Sequence, residues 1–251
     1  MQLFLVDQLV VKGNQIFLSD VPDLLSQLRK VLRMKIGDEI FVQKKEKAEV
    51  RYHVQIGERS DTRLEGNILE EMLPPAKTTR EISMLVAMPN KWEKAELIAQ
   101  KLTEIGISHL LFRPAERSII TGRNPHKHQR LLKIAKEAVE QSWWWKFPEI
   151  SYVEPERIPS LIADKEIVIF DKKEDSKSCA CDADSQVTRA SVGVIGPEGG
   201  LTASDYSLFP SVHVVSLWST VLRMETAAIV GGRFLCHHND NDKPTSSLLL
   251  P

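Results

Sequence analysis

Along the first 73 residues, apolar positions come in short runs. Residues 3–6 and 16–18 are apolar, and over 50–57 Val50, Tyr52, Val54 and Ile56 alternate with polar neighbours. That is the period of a half-buried strand. Between them, Asp20-Val21-Pro22-Asp23 reads as a helix start, with Asp20 as N-cap and a proline early in the first turn. The helix is expected to reach about residue 33, with Leu24, Leu25, Leu28, Val31 and Leu32 on its apolar side. Gly37-Asp38 then turns into a strand over 39–43. Several strands and one helix in so short a segment predict a small β-barrel, closed off by Pro74-Pro75 as a stiff linker.

From residue 80 the pattern changes. Compact apolar runs at 82–88, 108–112, 166–170, 191–195 and 212–217 are separated by stretches with a helical period. Residues 91–105 place Trp92, Ala95, Ile98, Ala99, Leu102 and Ile105 on one side and stop at Gly106. Residues 126–141 repeat the pattern with Leu131, Leu132, Ala135, Ala138 and Val139, and 221–235 form a last, mostly apolar helix. Strands alternating with helices predict an α/β domain around a parallel sheet buried on both faces. The tail from residue 239 is polar and is expected to fray.

Composition adds limits. With 251 residues, 42% hydrophobic and 27% charged, the chain has the make-up of a globular protein of one or two domains. The N-terminus has no basic segment before Asp7, and no apolar run nears the ~18 residues of a membrane span. Cys179, Cys181 and Cys236 make an odd count without a framework, which fits a reducing cytoplasm. Cys179-Ala180-Cys181 lacks the second ligand pair of a structural zinc site, and the seven histidines show no metal or triad spacing, so no metal is expected.

The net charge of −1 hides a gradient. Residues 1–75 carry 11 Lys/Arg against 12 Asp/Glu, residues 76–146 carry 13 against 7, and the remainder 9 against 15. The basic middle is either a set of solvated helix faces or a surface for an anionic polymer.

Two stretches carry candidate chemistry. The run Val192-Gly193-Val194-Ile195 drops into Gly196-Pro197-Glu198-Gly199-Gly200. Ligands of open parallel sheets bind beyond the carboxyl ends of strands, and glycine lets a ligand touch the main chain. The same glycines also suit a tight turn into a helix capped by Thr202 or Ser204. Neither GxxxxGK[ST] nor GxGxxG is present. The second stretch, Leu217-Trp218-Ser219-Thr220-Val221-Leu222-Arg223-Met224-Glu225-Thr226, again follows an apolar run. Ser219 and Thr220 are candidate caps for the last helix. Arg223, Glu225 and Thr226 interrupt an apolar pattern, so Arg223 either pairs with Glu198 or Glu225 structurally or lines a pocket with them.

Together these stretches resemble the bacterial 16S ribosomal RNA uridine-N3 methyltransferase family of the SPOUT superfamily. The resemblance extends to Glu93-Lys94 and Gln100-Lys101-Leu102-Thr103-Glu104-Ile105-Gly106, Glu116-Arg117-Ser118, Glu137-Ala138-Val139-Glu140-Gln141-Ser142 and Val31-Leu32-Arg33-Met34-Lys35-Ile36-Gly37-Asp38, covering nearly the whole chain in one order. It implies a PUA-like, RNA-binding β-barrel over 1–73, a linker over 74–79, a SPOUT domain with a C-terminal trefoil knot over 80–238, and a tail over 239–251. It implies a homodimer that uses S-adenosyl-L-methionine to methylate N3 of a uridine in the RNA of the small ribosomal subunit. The cofactor is then expected against Ile195, Gly196, Gly200, Leu217, Trp218 and Leu222. Arg223 and Thr226 would face the reaction, with Glu198 and Glu225 as possible bases. RNA is expected along Arg29, Lys30, Arg33 and Lys35 of the barrel, and along Lys101, Arg113, Arg117, Arg123, Lys127, Arg130 and Lys133. Two other classes fit the same residues: a SPOUT enzyme for another RNA such as transfer RNA, and a non-catalytic ribosome-assembly factor.

The chain departs from the family pattern at three places. Trp218 stands where a glycine is usual, Trp143-Trp144-Trp145 replaces a Gly-Arg segment, and Gln27 replaces a histidine. Three tryptophans at a helix end suit base stacking or a dimer interface. On this reading, Arg29→Glu combined with Arg33→Glu weakens RNA binding and leaves cofactor binding alone. Equal loss of both by calorimetry contradicts it.

Overall fold

The computed structural model describes residues 2–46, 49–75, 81–172, 191–209 and 212–239. Cys179, Cys181, the end of the expected linker and nearly all of the polar tail lie outside the described residues. The chain divides into two compact units. One comprises Met1–Thr79 with Lys136–Phe147, the other Arg80–Ala135 with Pro148–Pro251.

The first unit is built on a six-stranded sheet in the order β1-β4-β5-β6-β3-β2. Its strands are β1 (Leu3–Val6), β2 (Val10–Lys12), β3 (Gln15–Ser19), β4 (Glu39–Lys44), β5 (Arg51–Arg59) and β6 (Arg63–Met72). Only β1 and β4 pair in parallel. Leu64, Gly66 and Ile68 of β6 alternate inward between acidic and polar residues, a strand that the polar composition of 63–72 hid from the sequence reading. Helix α1 (Pro22–Ser26) lays Leu24 and Leu25 on the sheet. Its N-cap is Val21, with no side-chain cap bond; Asp20, expected as the cap, sits in the left-handed region at φ 55°. The helix widens into a π-helical turn over Gln27–Val31.

The tryptophans belong to this unit. Arg51, buried at 2% exposure, donates to the carbonyls of Trp143 and Trp144 and lies 4.2 Å from the Trp145 ring centre. Gln43 donates to the Trp145 carbonyl at 2.7 Å, and Trp143 meets Phe41 edge-on. Burial pushes the Arg51 guanidinium down to about 10. Trp145 is therefore buried, and Trp143 partly buried, around an arginine within this unit. Nearby, buried Glu140 accepts from the Leu5 amide at 2.8 Å, and burial raises its carboxyl above the usual range.

The second unit holds a fully parallel sheet in the order β12-β10-β11-β7-β8-β9. The strands are β7 (Ser83–Ala87), β8 (His109–Arg113), β9 (Glu149–Tyr152), β10 (Ile167–Phe170), β11 (Val192–Ile195) and β12 (His213–Val215). β7, β10 and β11 are buried throughout, as a sheet covered on both faces requires. Helices α2 (Trp92–Ile105), α3 (Pro125–Ser142) and α6 (Met224–Asn239) are the long ones; α4 (Ile158–Ile162) and α5 (Ala203–Ser207) are single turns, α5 being the helix expected after the glycine loop, with Thr202 as its cap. Gly106 ends α2 at φ 96°, as its position after the periodic run predicts. The last helix starts at Met224, three residues later than expected, so Ser219 and Thr220 cap nothing. Val221, read as its first apolar residue, is 77% exposed and gives no burial to hold a helical turn there. Among the described residues no helix is long and apolar enough to cross a membrane.

An ion pair sits inside this unit. Arg113, fully buried, donates to Asp205 at 2.8 Å and to the Pro114 carbonyl. Asp205 also closes a capping box with Thr202 at the start of α5. Burial raises the Asp205 carboxyl, but the bonds from Arg113 and Thr202 outweigh it and hold it below its ordinary 3.8. Arg113 is thus structural and leaves the expected RNA track. Removing it strands a buried carboxylate: Arg113→Ala is expected to cost about 3–5 kcal/mol in denaturant unfolding. The pair's contribution is full above pH 3.8 and is lost as pH falls through the depressed pKa of Asp205, so the variant's deficit should shrink in acid.

Candidate functional site

Strands β11, β10 and β12 are neighbours in register: Ile195 opposes Phe170, and Phe170 opposes Val215. They end level, and the chain beyond each end opens into a loop. Those loops bound a cavity of about 430 Å3, within the roughly 300–1,000 Å3 of small-molecule sites. Its walls come from Asp171 and Lys172 after β10, Gly196–Leu201 after β11, and Ser216–Arg223 after β12. All six residues expected from sequence to hold a cofactor line it: Ile195, Gly196, Gly200, Leu217, Trp218 and Leu222.

The glycines have distinct reasons. Gly200 takes φ 77°, and a Cβ there would meet nothing within 4 Å, so main chain borders open space. At Gly196 a Cβ would come within 2.9 Å of Leu201, and at Gly199 within 3.2 Å of the Arg117 stem. At these two positions the protein packs closely on itself, while the main chain of Gly196 still lines the cavity. Arg117 fixes this loop further by donating to the Gly199 carbonyl at 2.7 Å. Trp218 is 57% exposed, and its carbonyl accepts from Ser216 at 3.0 Å. The cavity remains open with Trp218 at its wall.

Of the two sequence readings, the structure supports the pocket: Arg223, Glu198 and Glu225 all line the cavity, and Arg223 pairs with neither acid among the described residues. Lys94, in the first turn of α2, pairs with Glu198 at 2.7 Å and stands 3.9 Å from Glu225. Glu198 also accepts from the Asn90 amide at 3.2 and 3.3 Å. Burial pushes the Glu198 carboxyl up, but the bonds from Lys94 and the amides prevail and hold it below the usual carboxylate range. Glu198 is therefore a firmly ionised partner of Lys94, and a poor base. Glu225 differs: its Oε2 is buried and makes no hydrogen bond. Arg223 precedes the helix instead of sitting within it, lines the cavity, is exposed, and makes no ion pair among the described residues. Thr226, expected to face the reaction, is exposed and does not line the cavity, although its neighbours Glu225 and Ala227 do: it points to a different side of the first turn of α6.

Lys94 is the residue that sequence reasoning missed. It belongs to the stretch that resembles the family, but no role at the site was read for it, since its partner Glu198 lies 104 residues away. Among the described residues, no group of three or more His, Cys, Asp or Glu side chains is placed to hold a metal.

The cations expected to meet RNA are spread over both units. Arg29, Lys30, Arg33 and Lys35 are all exposed in the first unit, with Arg29 bound to Asp61 at 2.7 Å and to the Ser60 carbonyl. In the second, Lys101 pairs with Glu104, Arg130 with Glu96, and Arg123 donates to the Tyr152 carbonyl.

A protein-family model described as an RNA methyltransferase domain matches residues 76–233, well over half of the chain. The chain belongs to that family. The matched RNA methyltransferase domain contains every loop of the cavity. The ribosomal RNA small subunit methyltransferase E of Bacillus subtilis (strain 168) is 27% identical over 211 residues, spanning 79% of this chain and 81% of its own length. In fold, the chain is similar to a ribosomal RNA small subunit methyltransferase E from Neisseria gonorrhoeae solved with S-adenosyl methionine. That likeness has a TM-score of 0.76 at 20% identity, over 92% of this chain and 95% of that one.

If Lys94 sets the ionisation of Glu198, replacing it should show in a titration. Lys94→Met is expected to raise the Glu198 pKa, read from its side-chain carboxyl carbon by NMR. An unmoved titration would mean that the Asn90 amide alone holds the carboxylate.

Proposed function

We propose that this protein transfers a methyl group from S-adenosyl-L-methionine to N3 of a uridine in 16S ribosomal RNA. The observation that carries the reading is the shared cavity: two loops 20 residues apart in sequence, both within the matched RNA methyltransferase domain, meet around one space of cofactor size. The Bacillus subtilis relative, named for methylation of the small-subunit RNA, supports the substrate, and the Neisseria gonorrhoeae structure with S-adenosyl methionine supports the cofactor.

The residues present fit the cofactor. The open face at Gly200 offers main chain to an adenosine, and Ile195, Leu217, Trp218 and Leu222 offer apolar wall. The cofactor supplies an electrophilic methyl group on a sulfonium. The chain must do the rest. N3 of uracil carries a proton at neutral pH, and its loss leaves an anion shared with O2 and O4. Arg223, at the cavity with no competing partner, stabilises that anion, the kind of preorganised charge that is usually the largest catalytic contribution. Glu225 accepts the proton through its unbonded Oε2, and Lys94 orients it while keeping Glu198 ionised. Positioning of the base against the cofactor adds the remainder.

The rest of the reading follows the family resemblance. The first unit serves as a PUA-like RNA-binding barrel, with its exposed Arg29, Lys30, Arg33 and Lys35 as phosphate contacts. The loops after β11 and β12 form the trefoil knot, the enzyme works as a homodimer in the cytoplasm, and Lys101, Arg117 and Arg123 guide RNA to the site. The target uridine must be unpaired or turned out of its stack to enter.

Isothermal titration should show S-adenosyl-L-methionine binding. Incubation with the tritiated cofactor should label 30S subunits or free 16S RNA, and mass mapping should find 3-methyluridine. Arg223→Ala is expected to lower kcat by about 10²–10³ with cofactor affinity unchanged. Label in transfer RNA alone, or a wild-type protein that binds no cofactor, would sink the assignment.

A further inference from the structure

A second cavity opens on the same edge of the parallel sheet, at the carboxyl ends of β8 and β9. It measures about 310 Å3 and lies between the start of α2, the start of α3 and those strand ends. Trp92, Phe112, Tyr152 and His128 give it aromatic walls, Leu131 its floor and Arg123 its rim. None of these residues takes part in the chemistry described above.

The cavity is firmly built. The Tyr152 hydroxyl donates to the Thr121 carbonyl. Arg123 donates to the Tyr152 carbonyl at 2.9 Å, and its guanidinium lies 5.5 Å from the centre of that ring. Asn124 accepts from the Lys127 amide at 3.1 Å and so fixes the start of α3. Tyr152, held at its hydroxyl and under Arg123, keeps its orientation without a ligand.

Its surroundings select a partner. From Arg117 to Lys133 the chain carries five Lys/Arg, two histidines and no acid. An aromatic pocket with an arginine at its wall, on a stretch of chain rich in Lys and Arg, matches a nucleotide, whose base is flat and whose phosphate is negative. Its position selects further. Trp92 and Lys94 are two residues apart in the first turn of α2, about 200° around the helix. One faces this cavity and the other the methyl-transfer cavity, so a single helical turn divides the two spaces.

We infer that this second cavity is a base pocket for an unpaired nucleotide of the substrate RNA other than the one methylated. Its base stacks against Trp92 and the facing aromatic groups, and its phosphate meets Arg123. The pocket thereby fixes which stretch of unpaired RNA can present a base to the first cavity. This inference rests on the reading of the chain as an RNA methyltransferase.

The test uses the full-length protein with a fluorescein-labelled single-stranded RNA and, separately, with tritiated cofactor and 16S RNA. Trp92→Leu keeps an apolar side chain without the stacking face, and His128→Ala removes a second wall. Each is expected to weaken RNA binding about 5- to 100-fold, the range of one lost base–aromatic stack, with cofactor affinity as in wild type. In methylation, KM for RNA should rise while kcat holds. RNA carrying 4-thiouridine should crosslink on irradiation to peptides containing Trp92, His128 or Tyr152. Unchanged RNA affinity and KM in folded variants, with no such crosslink, would overturn the pocket while wild-type turnover leaves the methyltransferase reading standing. A wild-type protein that binds RNA through these residues but transfers no methyl group would do the reverse. Should Trp92→Leu fail to fold by circular dichroism, His128→Ala and the crosslink decide.

Discussion

The constraint on which the rest depends is the level ending of three adjacent parallel strands. A parallel strand must be followed by a crossover, so its carboxyl end always opens into a loop. Where β11, β10 and β12 stop together, with Ile195, Phe170 and Val215 in register, three loops are forced to share one edge. The candidate cofactor cavity is the space they leave. The apolar burial that fixes the strands therefore also fixes the cavity walls, and no flexible element has to be ordered to create it.

Charge is laid on this frame with economy. One lysine, Lys94, pairs with Glu198 and stands near Glu225, so these two acids share one cation. Arg223 is left outside that network, with its charge available to a substrate. Arg113 shows the opposite use of the same residue type. Buried with Asp205, it holds the start of α5 against the end of β8 and contributes only to the fold. Residue type alone does not separate these roles; burial and partners do.

Much of the architecture was legible from the chain. Strong apolar periods located β7, β8, β10, β11 and α2 to within a residue or two, because burial on both faces leaves long, uninterrupted runs. Elements stabilised by other means were missed. β6 is polar on one face and interrupted by glycine, while α4 is too short for a period; α5, equally short, was legible only through its Thr202 cap. The start of α6 was misplaced because Val221 is apolar yet exposed, and hydrophobicity does not report exposure. Among site residues, the two loops were found through their glycines and their motif resemblance. Lys94 was not, since its significance lies wholly in a contact across 104 residues.

By itself, then, the sequence determined the parallel α/β domain, the two loops and the basic middle segment, since these follow from local period, local composition and short motifs. Tertiary structure alone decided which charges are paired. It put Arg113 in the core, turned the tryptophans around Arg51, gave Lys94 to Glu198 and left Arg223 without an ion pair among the described residues. The physical reason is range. Helix and strand periods are set by neighbours a few residues away, whereas an ion pair is set by whichever opposite charge the fold brings within about 4 Å.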